Sequence, residues 1–160
     1  MSASDSTHLS LAVARHQFEL TGADANSLVA YGSSQAHSSI EKGARVAGFK
    51  HIRSVPVTET FGIDADAFAK IVRDDIDSGL IPAWVCSAVG TTNTTAMDPI
   101  RAIAAIASEN GMWHHADAAY AGSAMICPEF RELQDGVELV DSYTFNPHKW
   151  LCLLYTSPSP

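Results

Sequence analysis

Basic charge is scarce in this sequence. Ten Lys and Arg stand against 18 Asp and Glu, giving a net charge of −8 over 160 residues, with no Lys/Arg cluster. The electrostatic footprint that nucleic-acid binding requires is therefore missing. Long apolar runs are missing too: none approaches the roughly 18 residues of a membrane-spanning helix. The opening residues, MSASDSTHLS, contain neither a positive stretch nor an apolar one, so no secretory signal is visible. Cysteine is sparse. Cys86, Cys127 and Cys152 are odd in number and far apart, which reads as reduced thiols of a cytoplasmic protein rather than a disulfide or zinc framework. What is present, 46% hydrophobic and 8% aromatic residues, suffices for the core of one domain.

The apolar pattern alternates between helical and strand periods. Asp5 or Ser6 is expected to cap a first helix reaching about Leu20, with Leu9, Val13 and Phe18 or Leu20 as its inward stripe. SLVAYGSS reads as a buried strand ended by Gly32. The next helix is expected over His37 to Ala47, with Ile40, Ala44 and Ala47 inward and Gly48 as its stop. HIRSVPVT alternates as a strand that Pro56 assigns to a sheet edge. Asp64 to about Ser78 forms an amphipathic helix with Phe68, Ile71, Val72 and Ile76 on one face. IPAWVCSAV is a strand covered on both faces. Asp98 and Pro99 open a further helix as cap and first-turn proline. MWHHADAA and VDSYTFNP are the last strands, separated by CPEFRELQDG as a short helix or irregular segment.

Such alternation with short connections argues for an α/β architecture, a mostly parallel sheet with helices on both faces. Ligands of such sheets bind beyond the carboxyl ends of the strands. Residues 33–37, Thr91 and Thr92, Asp117, and residues 146–149 all fall there. A carboxylate ending one apolar run and a lysine ending another suggest a covalent amine site with a carboxylate partner. A lysine attacks a carbonyl only when deprotonated, which calls for desolvation or nearby positive charge; the apolar Trp150 and Leu151 beside Lys149 are compatible with that. Taken alone, Lys149 also fits a surface lysine at a strand end, and Asp117 a turn-capping aspartate. His114, His115 and Asp117 are spaced as metal ligands can be, but zinc needs three or four ligands and no second cluster accompanies them, so no metal is assigned. His8, His16 and His51 read as surface residues, and Glu129 and Arg131 as members of structural ion pairs.

The context of the two principal residues goes further. DAAYAGSAMICPEFR, followed by DSYTFNPHKW, resembles the pyridoxal-phosphate-dependent group II amino-acid decarboxylases, and most of all their aromatic-L-amino-acid branch. The likeness runs from about Ser4 to near Leu151. It implies a fragment of the large domain of the fold-type I pyridoxal-phosphate enzymes over residues 1–152, followed by a non-family Ser/Pro-rich tail, residues 153–160. It implies pyridoxal 5'-phosphate as cofactor, Lys149 as the lysine joined to its aldehyde, and Asp117 as the carboxylate that keeps its pyridine nitrogen protonated. His37 would lie against the ring face. Ala3 and Ser4 match the small-Ser pair of the phosphate site, although Asp5 stands where Glu is usual. Asn146 would be a further phosphate contact, Thr92 (Thr91 less so) would lie near the cofactor and substrate end, and His148 would face the site.

The resemblance implies decarboxylation of a tyrosine-, DOPA- or tryptophan-like L-amino acid to its amine and carbon dioxide, by a homodimer in the cytoplasm. Three alternatives stay open: an aromatic acetaldehyde synthase of the same family, a non-catalytic truncated product, and another fold-type I enzyme such as a cysteine desulfurase. DAAYAGSAMICPEFR argues against the last. The family's proton-donating tyrosine lies on a mobile loop well after the lysine, and its dimer uses N-terminal segments, neither of which is among these 160 residues. The polypeptide expressed by itself is therefore expected to bind cofactor poorly and to be inactive. A turnover assay with an aromatic amino acid checks this, and measurable amine production would overturn it.

Overall fold

Runs rich in β-branched and aromatic residues form five strands: β1 (Leu28–Ser33), β2 (His51–Val55), β3 (Ile81–Ala88), β4 (Trp113–Ala118) and β5 (Ser142–Phe145). They pair in parallel in the order β2-β1-β3-β4-β5. The computed structural model describes residues 2–151; Cys152, the expected boundary after residue 152 and the tail 153–160 lie outside the described residues. Helices α1 (Ala3–Leu20) and α2 (Ser39–Val46) cover one face, where Leu11, Ala14, Ile40 and Ala44 pack on Leu28, Ala30 and Trp84. Helices α3 (Ala65–Asp77) and α4 (Ile100–Glu109) cover the other, where Phe68, Val72 and Ile103 pack on Val29, Tyr31 and Val85. The chain leaves β1 toward β2 on one side and resumes at β3 on the other, so the strand order reverses beside β1. A crevice opens at such a reversal, above the carboxyl ends of the strands. β2 is the edge strand, with Pro56 immediately after it, as the proline implied.

Several expectations need correction. The cap of α1 is Ser2, not Asp5 or Ser6: the Ser2 hydroxyl accepts from the Asp5 N–H while the Asp5 carboxylate accepts from the Ser2 N–H, a reciprocal capping box. The inward stripe of α1 is Thr7, Ser10, Leu11 and Ala14. Leu9 and Leu20 are 59% and 73% exposed and Val13 also faces out. α1 crosses α2 closely, with the His8 ring and the Leu11 side chain against Gly43. His8 is accordingly half-buried rather than a free surface residue. Gly32 lies inside β1 instead of ending it. α2 starts at Ser39, leaving His37 on the preceding turn, and Gly48 ends it with φ +84°, a backbone that L side chains rarely adopt.

On α3, Ile76 is 43% exposed and Asp75 turns inward instead. The Asp75 carboxylate accepts from the Tyr31 hydroxyl at 3.0 Å and from Arg53 Nη2 at 2.6 Å. Burying this acid is offset by both hydrogen bonds and by the guanidinium charge. Burial, with the Asp75 charge beside it, pushes the Tyr31 phenol well above its ordinary value. Residues 128–134 form a 3-10 segment, and Arg131 donates to the carbonyls of Met125 and Ile126 instead of joining an ion pair.

Asp98 does not cap α4; Pro99 occupies that position. The buried Asp98 carboxylate instead accepts from the Ala88 N–H at 2.6 Å and the Ile63 N–H at 2.7 Å, tying the end of β3 to the entry of α3. Desolvation outweighs those two bonds and pushes its pKa up to about 6 from an ordinary 3.8. A carboxyl raised in the fold binds its proton more tightly when folded. This group's contribution therefore favours folding most below pH 3.8 and declines as pH rises through about 6. Urea unfolding of Asp98→Asn should lack this component, which amounts to about 3 kcal/mol across that window. An unchanged pH slope would show that folding does not raise the pKa of this carboxyl.

Candidate active site

Parallel pairing places the ends of β1, β3, β4 and β5 along one sheet edge, and the loops leaving them enclose a cavity of about 160 Å³. Ser2, Ala3, Ser4, His37, Thr92, Asp117, Asn146 and Lys149 line it, with Ala88, Gly90, Ala119 and Tyr120 between them. Asp117 is the last but one residue of β4, and its Oδ1 accepts from the Ala119 N–H at 3.0 Å. That bond fixes the carboxylate in its turn. Lys149 sits on α5 (Pro147–Trp150), a single turn started by Pro147 in a position where its missing N–H costs nothing. Tyr120 meets Trp150 edge to face, centroids 5.5 Å apart, and braces that turn against the loop after β4. Lys149 is exposed, at the mouth of the cavity.

The first amides of α1 have no intrahelical partners. Those of Ala3 and Ser4 belong to an 18-residue helix whose start lines the cavity, so they present donors and the positive end of the helix dipole to it. Asn146 is buried, yet its side chain makes no capping bond to α5, which leaves the carboxamide for the cavity. His37 is held from behind: its Nδ1 accepts from the Ser39 N–H at 3.2 Å and lies 2.9 Å from the Ser39 hydroxyl. Accepting from an amide requires a bare Nδ1, so the neutral ring carries its proton on Nε2.

The two threonines after β3 divide their work. Thr91 is buried; its hydroxyl accepts from the Ala96 N–H at 3.1 Å and lies 2.7 Å from that of Thr94. Thr91 lines the cavity as well, but its hydroxyl is engaged in holding the loop 90–96. Thr92 is exposed to the cavity. Gly90 starts the loop with φ +83°, and a Cβ there would lie 2.7 Å from that of Ala121.

His148 is not brought in with the others. It is exposed and does not line the cavity, because successive residues of a helix point about 100° apart, so a turn that offers Lys149 turns His148 away. His114 and His115 point to opposite faces of β4. His114 Nε2 lies 2.6 Å from the Ser87 hydroxyl, while His115 stacks on Trp84 with centroids 5.9 Å apart. They cannot share one ion, and among the described residues no group of three or more ligating side chains gathers. Burial pushes both imidazoles down to about 4, with His115 adding to the effect on His114 and Asp117 opposing it at His115. Burial, together with the Asp117 and Asp98 charges, raises the Cys86 thiol well above its ordinary value. Sequence reasoning missed Ser2, Ser39 and Tyr120; Ser39, two residues after His37, carried the one available signal.

The cavity at the strand ends of this parallel α/β sheet thus brings together a carboxylate, a lysine and a helix start. The profile of the pyridoxal-dependent decarboxylase conserved domain matches residues 2–156, and the chain belongs to this family. It is 47% identical over 146 residues to the aromatic-L-amino-acid decarboxylase of Catharanthus roseus, covering 88% of this chain and 29% of that protein. It is 43% identical to the phenylacetaldehyde synthase of Petunia hybrida, covering 82% and 28%. The crystal structure of Oryza sativa TDC with PLP and tryptamine superposes with a TM-score of 0.92 at 41% identity, covering 96% of this chain and 33% of that one. The fold is thus that of the fold-type I pyridoxal-phosphate decarboxylases, and the chain spans about a third of the length of the relatives it matches.

The threonine assignment is open to direct test. Thr91→Ala should cost about 1–2 kcal/mol in urea unfolding, because it strands a buried amide, whereas Thr92→Ala should stay within about 0.5 kcal/mol of the parent. Equal losses would contradict it.

Proposed function

We propose that this chain forms the cofactor-holding part of a pyridoxal-phosphate-dependent decarboxylase that converts an aromatic L-amino acid to its amine and carbon dioxide. The observation that carries this reading is the convergence of Asp117 and Lys149 on one cavity in a chain of this family. The donor set suits the cofactor. The amides of Ala3 and Ser4, with Asn146, suit a phosphate; the Lys149 amine suits an aldehyde; and Asp117 suits a protonated ring nitrogen. When bound, pyridoxal phosphate supplies an electron sink conjugated to the substrate Cα, so that the bond to the carboxylate breaks as carbon dioxide leaves.

The protein's own part is placement and charge. Asp117 would pair with a protonated ring nitrogen of the cofactor and so favour its role as an electron sink. His37, its Nδ1 occupied by Ser39, lines the cavity and would offer a ring face for stacking. Lys149 would be the amine that holds the cofactor aldehyde. Thr92 lies at the same rim.

The named relatives support aromatic substrates. The match to a phenylacetaldehyde synthase supports a second reading, an aldehyde-forming enzyme on the same site. We extend the proposal to a homodimer in the cytoplasm. Phe145, Trp150 and Leu151 are exposed beside Lys149, which supports a site completed by further protein surface, and Cys86 and Cys127 are free thiols. Among the described residues no helix is long and apolar enough to cross a membrane.

Borohydride reduction of the full-length protein with pyridoxal phosphate should attach the cofactor to the peptide that contains Lys149, and Lys149→Ala should abolish the adduct. Asp117→Asn should lower turnover on the order of a hundredfold or more while leaving the adduct intact. Labelling of another lysine would refute the assignment, and analysis of the product as amine or aldehyde separates the two readings.

A further inference from the structure

Beneath Asp117, on the same face of β4, lies His115, one of the most deeply buried side chains of the protein. Its ring stacks on Trp84, and both its nitrogens are occupied: Nδ1 lies 2.8 Å from the Ser142 hydroxyl and Nε2 3.2 Å from the Thr144 hydroxyl. The Ser142 hydroxyl also accepts from the Trp113 indole N–H at 2.8 Å. Thr144 is the register partner of Asp117 across the β4–β5 pair.

These contacts have a direction. An indole N–H can only donate, so one lone pair of Ser142 is taken. Among the described residues the hydrogen of the Ser142 hydroxyl then has one acceptor within reach, a bare Nδ1, so the neutral ring carries its proton on Nε2 and donates it to Thr144. An imidazolium would force Ser142 to accept from both rings and leave its own hydrogen without a partner among the described residues.

We propose that His115 is a positioning residue for Asp117, held as a neutral imidazole with its proton on Nε2 by a one-way chain of hydrogen bonds that begins at Trp113. A cation in this place, two residues from Asp117, would draw the carboxylate's charge down into the sheet. A neutral ring leaves that charge to a cation in the cavity above. Asp117 is the charged group acting on the ring. His114 lies on the opposite strand face, Cys86 is the neutral register partner on β3, and α1 presents Ser10 to Trp84 over the same face. Burial outweighs the pull of Asp117 and lowers the imidazole to about 4, consistent with the geometry. The tautomer stands on this structure alone; its use toward a ring nitrogen rests on the function proposed above.

Two measurements on the full-length protein test this. In 15N-histidine-labelled protein at pH 6, with the His115 signals assigned by their loss in His115→Gln, Nδ1 should show the shift of a bare nitrogen and Nε2 that of a protonated one. A protonated Nδ1, with or without Nε2–H, overturns the proposal. Pyridoxal phosphate binding then separates positioning from packing. His115→Gln keeps an N–H donor near the Nε2 place and should bind within about threefold of the parent, whereas His115→Asn places its donor at Nδ1 and should lose roughly tenfold. Equal loss in both variants, or loss in neither, overturns the positioning role. A parent protein that takes up no cofactor refutes the proposed function and the positioning role with it, while the NMR result still decides the tautomer.

Discussion

Parallel strand pairing is the constraint on which everything else depends. Each crossover returns the chain to the same starting edge, so every strand in the sheet ends on the same side. Asp117 and Lys149 come from different strands and are separated by the irregular segment between β4 and β5, yet both are delivered to one rim. His37 arrives after β1 and Thr92 after β3 by the same rule. The reversal of strand order beside β1 opens the space that these residues share, and α1 closes it with its amino end.

Within that space, hydrogen bonds sort side chains into those already used and those left for a ligand. Thr91 is spent on its loop and Thr92 is not. Asn146 occupies a cap position without capping. Asp117 gives one oxygen to the Ala119 amide and keeps the other, and His37 is pinned through one nitrogen only. Such half-satisfied groups are costly in an interior but useful at a site, where the ligand completes them. The network below Asp117 is of the opposite kind: both nitrogens of His115 are engaged, and the ring is fixed rather than available.

Much of this was legible in the sequence, because alternating apolar periods and Gly or Pro punctuation report local geometry. The strand order was not spelled out, but Pro56 marked the edge and the apolar run around Trp84 marked a strand covered on both faces. What failed did so for identifiable reasons. Leu9, Val13 and Phe18 or Leu20 were read as the buried stripe of α1; Phe18 does pack against the core, but the helix turns Thr7, Ser10, Leu11 and Ala14 inward and leaves Leu9, Val13 and Leu20 exposed. Ile76 was placed on the inward face of α3 where Asp75 turns in, and Asp98 was read as a cap, since nothing local reveals that Tyr31, Arg53, Ile63 and Ala88 supply the partners of these two carboxylates. His148 was placed at the site by its position beside Lys149 and by the family resemblance; in this structure helical phase turns it away from the cavity.

The central claim is that Asp117 and Lys149 hold the same ring from different sides. A crystal structure of the full-length protein grown with pyridoxal phosphate measures this most directly. The account predicts unbroken density from the Lys149 Nζ to the cofactor and an Asp117 carboxylate oxygen about 2.8 Å from the ring nitrogen. A ring nitrogen facing some other group, or a cofactor anchored away from Lys149, would contradict it.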